Sequence, residues 1–254
     1  MFRMRYALLA AAALLAACGQ SEPPPPLPET TVQAVAAPWF ICDAINAPVL
    51  LVFERDGNTA RVAQYDKPNG ALIQRTQYQI GDSEGAAGSI YTALSQNGAE
   101  AGHVRQINSG VLETPGAAYT QVYSSVRLGE RELSCRWMSR TRLMGFTGRR
   151  TIVVSEDGDG DLLYHSYDFA TAANAQPIDI AENGRTTTFS LEVRDGTEQV
   201  DASGARYQFQ ADAETQIAII AGRDGHGRVD VTRHSPNPAQ SEDLIAYVQG
   251  SGPE

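Results

Sequence analysis

Carboxylates recur at alternate positions in Asp157-Gly158-Asp159-Gly160-Asp161. Calcium loops present their oxygen ligands in this way, and Asp168 stands where the twelfth-position acid of such a loop would fall. The pattern then departs from a calcium loop. Its sixth position is Leu162, where the sharp turn needs glycine, and the flanks 150–154 and 162–167 read as strands where helices are required. The expectation is a β-hairpin with an acidic tip; a weak surface calcium site at Asp157, Asp159 and Asp161 is the functional alternative. Hydrolytic chemistry lacks its usual framing, because neither a G-x-S-x-G elbow nor an H-E-x-x-H helix occurs. The histidines His103, His165, His226 and His234 are scattered, and without a paired nucleophile each reads as a surface or turn residue. No catalytic residue is assigned, and a hydrolase with an unrecognised carboxylate site stays open as one function class.

The elements that must position these residues alternate with period two. Leu133, Cys135 and Trp137 share one face of a strand, and Glu132, Ser134 and Arg136 share the other. The same alternation runs through 188–194, Tyr207-Gln208-Phe209 and Val229-Asp230-Val231. Trp39-Phe40-Ile41-Cys42 and Pro48-Val49-Leu50-Leu51-Val52-Phe53 are fuller apolar runs, suited to strands buried on both faces. Turn residues punctuate these runs at Asp56-Gly57-Asn58, Pro68-Asn69-Gly70, Leu128-Gly129-Glu130, Asp195-Gly196 and Asp224-Gly225-His226-Gly227. The expected fold class is all-β: an antiparallel sandwich or barrel, in one domain or two lobes dividing near 140–149. No strand alternates regularly with a long helix, which argues against a parallel α/β sheet. Residues 80–118 are less regular and read as a long loop or short helix. Ser241-Glu242-Asp243-Leu244-Ile245-Ala246-Tyr247-Val248 reads as a short capped C-terminal helix.

Cys18 closes the run Leu15-Ala16-Ala17-Cys18-Gly19, after Arg3, Arg5 and an apolar stretch of 12 residues from Tyr6 to Ala17. A basic start, a short apolar middle and small residues before a cut are the parts of a secretory signal, and the stretch is short of the roughly 20 residues of a spanning helix. With cysteine at the cut, the segment resembles the lipobox of bacterial lipoproteins. That resemblance implies removal of residues 1–17, a covalent lipid (palmitate included) on Cys18 and, with Gly19 following, an address on the periplasmic face of the outer membrane. Two or more acyl chains anchor a protein stably where one does not. Residues 18–37 then form a lipidated linker whose Ser21-Glu22-Pro23-Pro24-Pro25-Pro26-Leu27-Pro28 favours an extended polyproline helix.

Lipidation of Cys18 leaves Cys42 and Cys135 as an even pair in a compartment that permits disulfides, so the resemblance also implies that they are bonded. No CxxC pair or histidine cluster joins them, which disfavours zinc. Trp39 and Trp137, near the two cysteines in sequence, are expected to pack around the bridge. The domains expected are a disulfide-stapled β region over 38–140 and a second β region over 149–250, with the option that both form one domain. Loss of Arg3 and Arg5 on cleavage takes the formal charge from −10 to −12. So anionic a chain is a poor nucleic-acid binder, and its charge suits solubility or a cationic periplasmic partner.

Ala202-Ser203-Gly204-Ala205-Arg206-Tyr207 is similar to the Ser-Gly-x-x-Tyr segment of membrane-bound inhibitors of c-type lysozyme, small β-barrel lipoproteins of the periplasm. The resemblance implies an inhibitory loop carried by Ser203, Gly204 and Tyr207. It covers about 20 residues at most, and the Trp-Thr-Lys-Gly segment usual after the tyrosine is absent. The first expectation is therefore a lipid-anchored envelope protein with a non-catalytic binding or structural role. Inhibition of a lysozyme-type lytic enzyme and an envelope hydrolase are the alternatives.

Overall fold

A computed structural model of the protein describes residues 37–108, 120–172, 178–180, 184–233 and 239–250. Cys18 and the run that resembles a lipobox, the stretch expected as a linker up to residue 36, and His234 lie outside them. The described residues are almost entirely strand. Strands β1 (Phe40–Asp43), β2 (Val49–Asp56), β3 (Thr59–Asp66), β4 (Leu72–Ala86), β5 (Ser89–Gln96), β6 (Ala99–Ile107), β7 (Tyr123–Leu128) and β8 (Arg131–Ser134) form an eight-stranded sheet in which sequence neighbours are also spatial neighbours. Every pair is antiparallel, as short connections require. The sheet curls until its ends meet. Ile45 N donates to Ser134 O at 2.8 Å, Arg136 N donates to Asp43 O at 2.8 Å, and Cys42 is disulfide-bonded to Cys135 with their Cα atoms 4.8 Å apart. The bond spans 93 residues of sequence, so it constrains the unfolded chain strongly, by about 4–5 kcal/mol in the chain-entropy account.

Of residues 80–118, expected to hold a long loop or short helix, 80–107 are strands joined by tight turns, and 109–118 lie outside the described residues. Their turns are Ala87-Gly88 and Asn97-Gly98, with φ of 47°, 76°, 53° and 79°. Positive φ at both central residues matches the turn to the right-handed twist of its strands, so Asn97-Gly98 was a hairpin signal in the sequence itself.

The second sheet has nine strands: β10 (Thr141–Phe146), β11 (Arg150–Glu156), β12 (Leu162–Asp168), β15 (Leu191–Val200), β16 (Gly204–Gln210), β17 (Thr215–Gly222), β18 (Gly227–Arg233), β19 (Gln240–Asp243) and β20 (Ala246–Gln249). Between β12 and β15 the chain makes one helical turn, α1 (Phe169–Ala172), and adds β13 (Ile178–Ile180) and β14 (Gly184–Thr186) to β9 (Trp137–Met138) as a small three-stranded sheet. The segment expected as a C-terminal helix forms β19 and β20. These are the two opposite edges of the nine-stranded sheet, and only Leu244 and Ile245 separate them. Leu244 N donates to Gly227 O and Ile245 N to Phe146 O, both at 2.8 Å. Local helix propensity loses here because two sheet edges carry rows of backbone groups that need partners, and one short segment supplies both.

Asp195-Gly196 is not a turn between strands. It lies inside β15, where Asp195 has φ 58° and the register against β12 shifts. This bulge redirects β15 from pairing with β12 to pairing with β16. A Cβ on Gly196 would stand 2.2 Å from the ring of Phe209, so glycine lets that ring close against the bend. The alternation expected through 188–194 fails at its start, since Phe189 and Leu191 are exposed and Val193 is buried.

Three apolar clusters follow from this geometry. Phe40, Cys42, Leu51, Phe53, Leu94, Val104, Val126 and Cys135 belong to the interior of the first sheet. Leu143, Ile152, Val154, Tyr164, Tyr207, Phe209 and Ile219 belong to that of the second. The third cluster joins the sheets, with Ile41, Leu50, Val52 and Tyr65 from the first against Met144, Phe146, Val153 and Tyr167 from the second. The fuller apolar runs at 39–42 and 48–53 are thereby explained, because β1 and β2 are buried on both faces. No helix among the described residues is long and apolar enough to cross a membrane.

Candidate functional site

The sequence candidates separate in space. Asp157 turns its Oδ1 onto the backbone N–H groups of Asp159 and Asp161, both at 3.0 Å, and so caps the β11–β12 hairpin. Asp157, Asp159 and Asp161 thus stand at the tip of the β11–β12 hairpin, and among the described residues no group of three or more His, Cys, Asp or Glu is placed to hold a metal ion. Ser203 lies in the turn before β16, where its N and Oγ donate to Asp201 Oδ1 at 2.7 and 2.5 Å. Gly204 begins β16 with φ 147°. Tyr207 is fully buried in the second interior, and burial pushes its hydroxyl well above the ordinary tyrosine range. The strand alternation that aims Ala205 and Tyr207 inward separates the tyrosine from the exposed serine, so Ser203, Gly204 and Tyr207 do not make one presented loop.

The histidines are also apart. His103 Nδ1 accepts from Arg127 Nε at 3.2 Å, His165 is buried beside Glu192 at 2.9 Å, and His226 is exposed in the β17–β18 turn. Burial, only partly offset by Glu192, lowers the pKa of His165. Trp39 packs on the cluster that holds Cys42 and Cys135, as expected. Trp137 instead packs with Val122 and Ile107 in a separate cluster.

Of the cavities among the described residues, two bear on function. The first, about 460 Å³, opens at one mouth of the eight-stranded sheet. An eight-stranded barrel has an interior just wide enough to be filled by side chains or to hold one small ligand. Here Phe40, Phe53 and Tyr123 stack near the centre, with ring centroids 4.3 Å apart for Phe40–Phe53 and 3.8 Å for Phe40–Tyr123. Above them the cavity is lined by Trp39, Tyr123, Ile80, Gln106, Gln121 and Arg55. Trp39 meets Tyr123 edge-on at 5.6 Å, and the Arg55 guanidinium lies 5.1 Å from the Trp39 ring centroid. Tyr123 donates its hydroxyl to Gln121 Oε1 at 2.8 Å; burial pushes its pKa up to about 12, so it remains a neutral donor. Aromatic walls with convergent amide, hydroxyl and guanidinium groups make a binding cup. Among the described residues, neither a carboxylate pair nor a His–Ser pair lines it.

The second cavity, about 330 Å³, lies where the closing ends of the first sheet meet the small sheet and α1. Its floor is a buried charge cluster that the sequence reading missed. Arg136, expected on the polar face of its strand, is 2% exposed. The chain bends between β8 and β9, and Arg136 Nε donates to Asp43 Oδ2 at 2.7 Å while Nη2 donates to Thr187 Oγ1 at 3.1 Å and Nη1 to Thr186 Oγ1. Its guanidinium carbon stacks 3.5 Å from the Tyr167 ring centroid. Lys67, the chain's only lysine, pairs with Asp43 Oδ1 and donates to Ala44 O. Burial raises the Asp43 pKa, but Lys67 and Arg136 more than reverse this and hold it at about 2. Asp43 is on the face of β1 opposite Cys42, so the alternation that sends the cysteine into the first interior sends the aspartate to the junction. Compared with known protein families, curated proteins and solved structures, the chain matches none.

Proposed function

We propose that this chain is a lipid-anchored, non-catalytic binding protein of the cell envelope, which takes a small polar ligand in the mouth of its eight-stranded sheet. The observation that carries the reading is the cup of about 460 Å³ walled by Trp39 and Tyr123 and edged by Arg55, Asn58, Gln106 and Gln121. Ligand pockets combine apolar and aromatic surface with a few placed polar groups in this way. Flat aromatic faces beside amides and hydroxyls suit a short glycan, whose sugar rings carry apolar faces and hydroxyl edges. The lipobox at Cys18 and the proline-rich stretch after it support the address: a tether and a spacer ahead of a folded binding body.

The chain has two tryptophans, so Trp137→Phe leaves Trp39 as the sole indole reporter. Titration of that variant with N-acetylglucosamine oligomers should change its fluorescence saturably, and Gln106→Ala should weaken the response about tenfold, the loss of one to two hydrogen bonds. A flat titration in folded protein would overturn the cup reading. Labelling cells with radioactive palmitate should mark the wild-type chain and not Cys18→Ala; equal labelling would overturn the anchor.

A further inference from the structure

We propose that the second cavity binds a small organic monoanion, a carboxylate on a short apolar body, with its charge against Lys67 and its body against Ile45, Pro48 and Phe169. The argument begins with charge. Lys67, Arg136 and Asp43 are all buried, at 5%, 2% and 1% exposure, and among the described residues of this cluster two cations against one carboxylate leave an excess of one positive charge. A buried charge without its counter-charge costs several kcal/mol even after relaxation. Arg136 has each of its three nitrogens engaged, by Asp43, Thr186 and Thr187. Lys67 differs. An ammonium has three donors, and among the described residues it has two partners, Asp43 by ion pairing and Ala44 O by a hydrogen bond. Lys67 also lines the cavity, so its remaining donor and the excess charge occur in one place.

The rest of the lining fixes the ligand class. Ala44, Ile45, Ala47, Pro48, Pro68 and Phe169 give apolar walls, and a volume of about 330 Å³ is at the small end of ligand pockets. One excess charge matches a monoanion, and a phosphate monoester would bring nearly two. Apolar walls reject a fully hydrated inorganic ion and accept an alkyl carboxylate. This site shares no lining residue with the cup, so its fate and that of the cup are decided separately.

The single lysine provides the test. Full-length chain in non-ionic detergent, grown with ¹³C-labelled lysine, carries one lysine side-chain signal. Titration with hexanoate should move that signal saturably, hexanol should leave it in place, and hexyl phosphate should need at least tenfold higher concentration. Ile45→Trp, which fills the cavity and leaves the charged residues in the sequence, should abolish the hexanoate response of the lysine signal in folded protein. If hexanoate leaves the signal unmoved in native protein, or hexanol moves it equally, the site is refuted. A response to hexyl phosphate as strong as that to hexanoate would refute the monoanion assignment. The three ligands on the unaltered chain decide the matter even if the variant does not fold.

Discussion

The two curled sheets of this molecule close in opposite ways. In the eight-stranded sheet each strand pairs with the next in sequence, and closure is made by chemistry: a disulfide, and Asp43 held between Arg136 and Lys67. In the nine-stranded sheet the strands that must meet come from distant parts of the chain. β20 returns to β10 and β15 reaches back to β12 across an insertion. Its closure runs through the two-residue step from β19 to β20, where Glu242 of β19 pairs with Arg150 of β11 at 2.9 Å and accepts from Thr147 Oγ1 at 2.9 Å. A sheet of local hairpins has nothing in its chain order to bring first and last strands together, and here the disulfide and the charge cluster reinforce the few backbone bonds across the seam. A sheet whose edges are consecutive strands closes as soon as its last segment docks.

The largest test of this contrast is Arg136→Ala. It leaves Asp43 buried with one partner fewer, and breaking a buried ion pair from one side costs about 3–5 kcal/mol. Urea unfolding should record that loss, and amides of β1 and β8 should lose hydrogen-exchange protection before those of β16 and β17. Uniform loss across both sheets would show that closure of the first is not local. Next is Leu244→Ala in the step between β19 and β20. Leu244 is 7% exposed and belongs to the second interior, so the truncation should cost about 2–3 kcal/mol. Exchange should quicken at β19 and β20 and stay unchanged at β1 and β8.

Acid gives the smallest and most selective effect. The folded-state pKa of Asp43 is depressed from 3.8 to about 2, so its contribution is complete above the unfolded value and is lost as pH falls from 3.8 through about 2. Urea midpoints measured down this range should fall for the native chain and fall less steeply for Asp43→Asn. Equal slopes would mean that the cluster does not couple closure to protonation.

Much of the fold was legible because its signals are local. Alternation at Tyr207-Gln208-Phe209 and the double burial of Pro48-Val49-Leu50-Leu51-Val52-Phe53 need only neighbouring residues to be read. Asn97-Gly98 was equally local and was passed over within a stretch rich in Gly, Ala and Ser. The C-terminal segment and Arg136 were illegible for a different reason. Ser241 followed by acids is a sound helix start, and the competing strand pairing depends on β10 and β18, which lie far away in sequence. Arg136 keeps the outward parity of its strand on paper, and only the bend at Cys135 and the arrival of Thr186 and Thr187 turn it inward. The charge cluster had one faint trace: an aspartate directly after the apolar run that ends at Cys42, in a chain with a single lysine. The cup was harder still, since its lining comes from strands spread over the whole first sheet and each member alone is an ordinary polar or aromatic residue.

The burial of Lys67 has one more consequence. A chain with a single lysine, 5% exposed and paired with Asp43, offers amine reagents too bulky for the adjoining cavity no side-chain target while it is closed. Acylation of Lys67 by such a reagent then proceeds only as fast as the end of the first sheet opens. Its rate, followed by mass, is a clock for that single event, set by the native chain without any added probe.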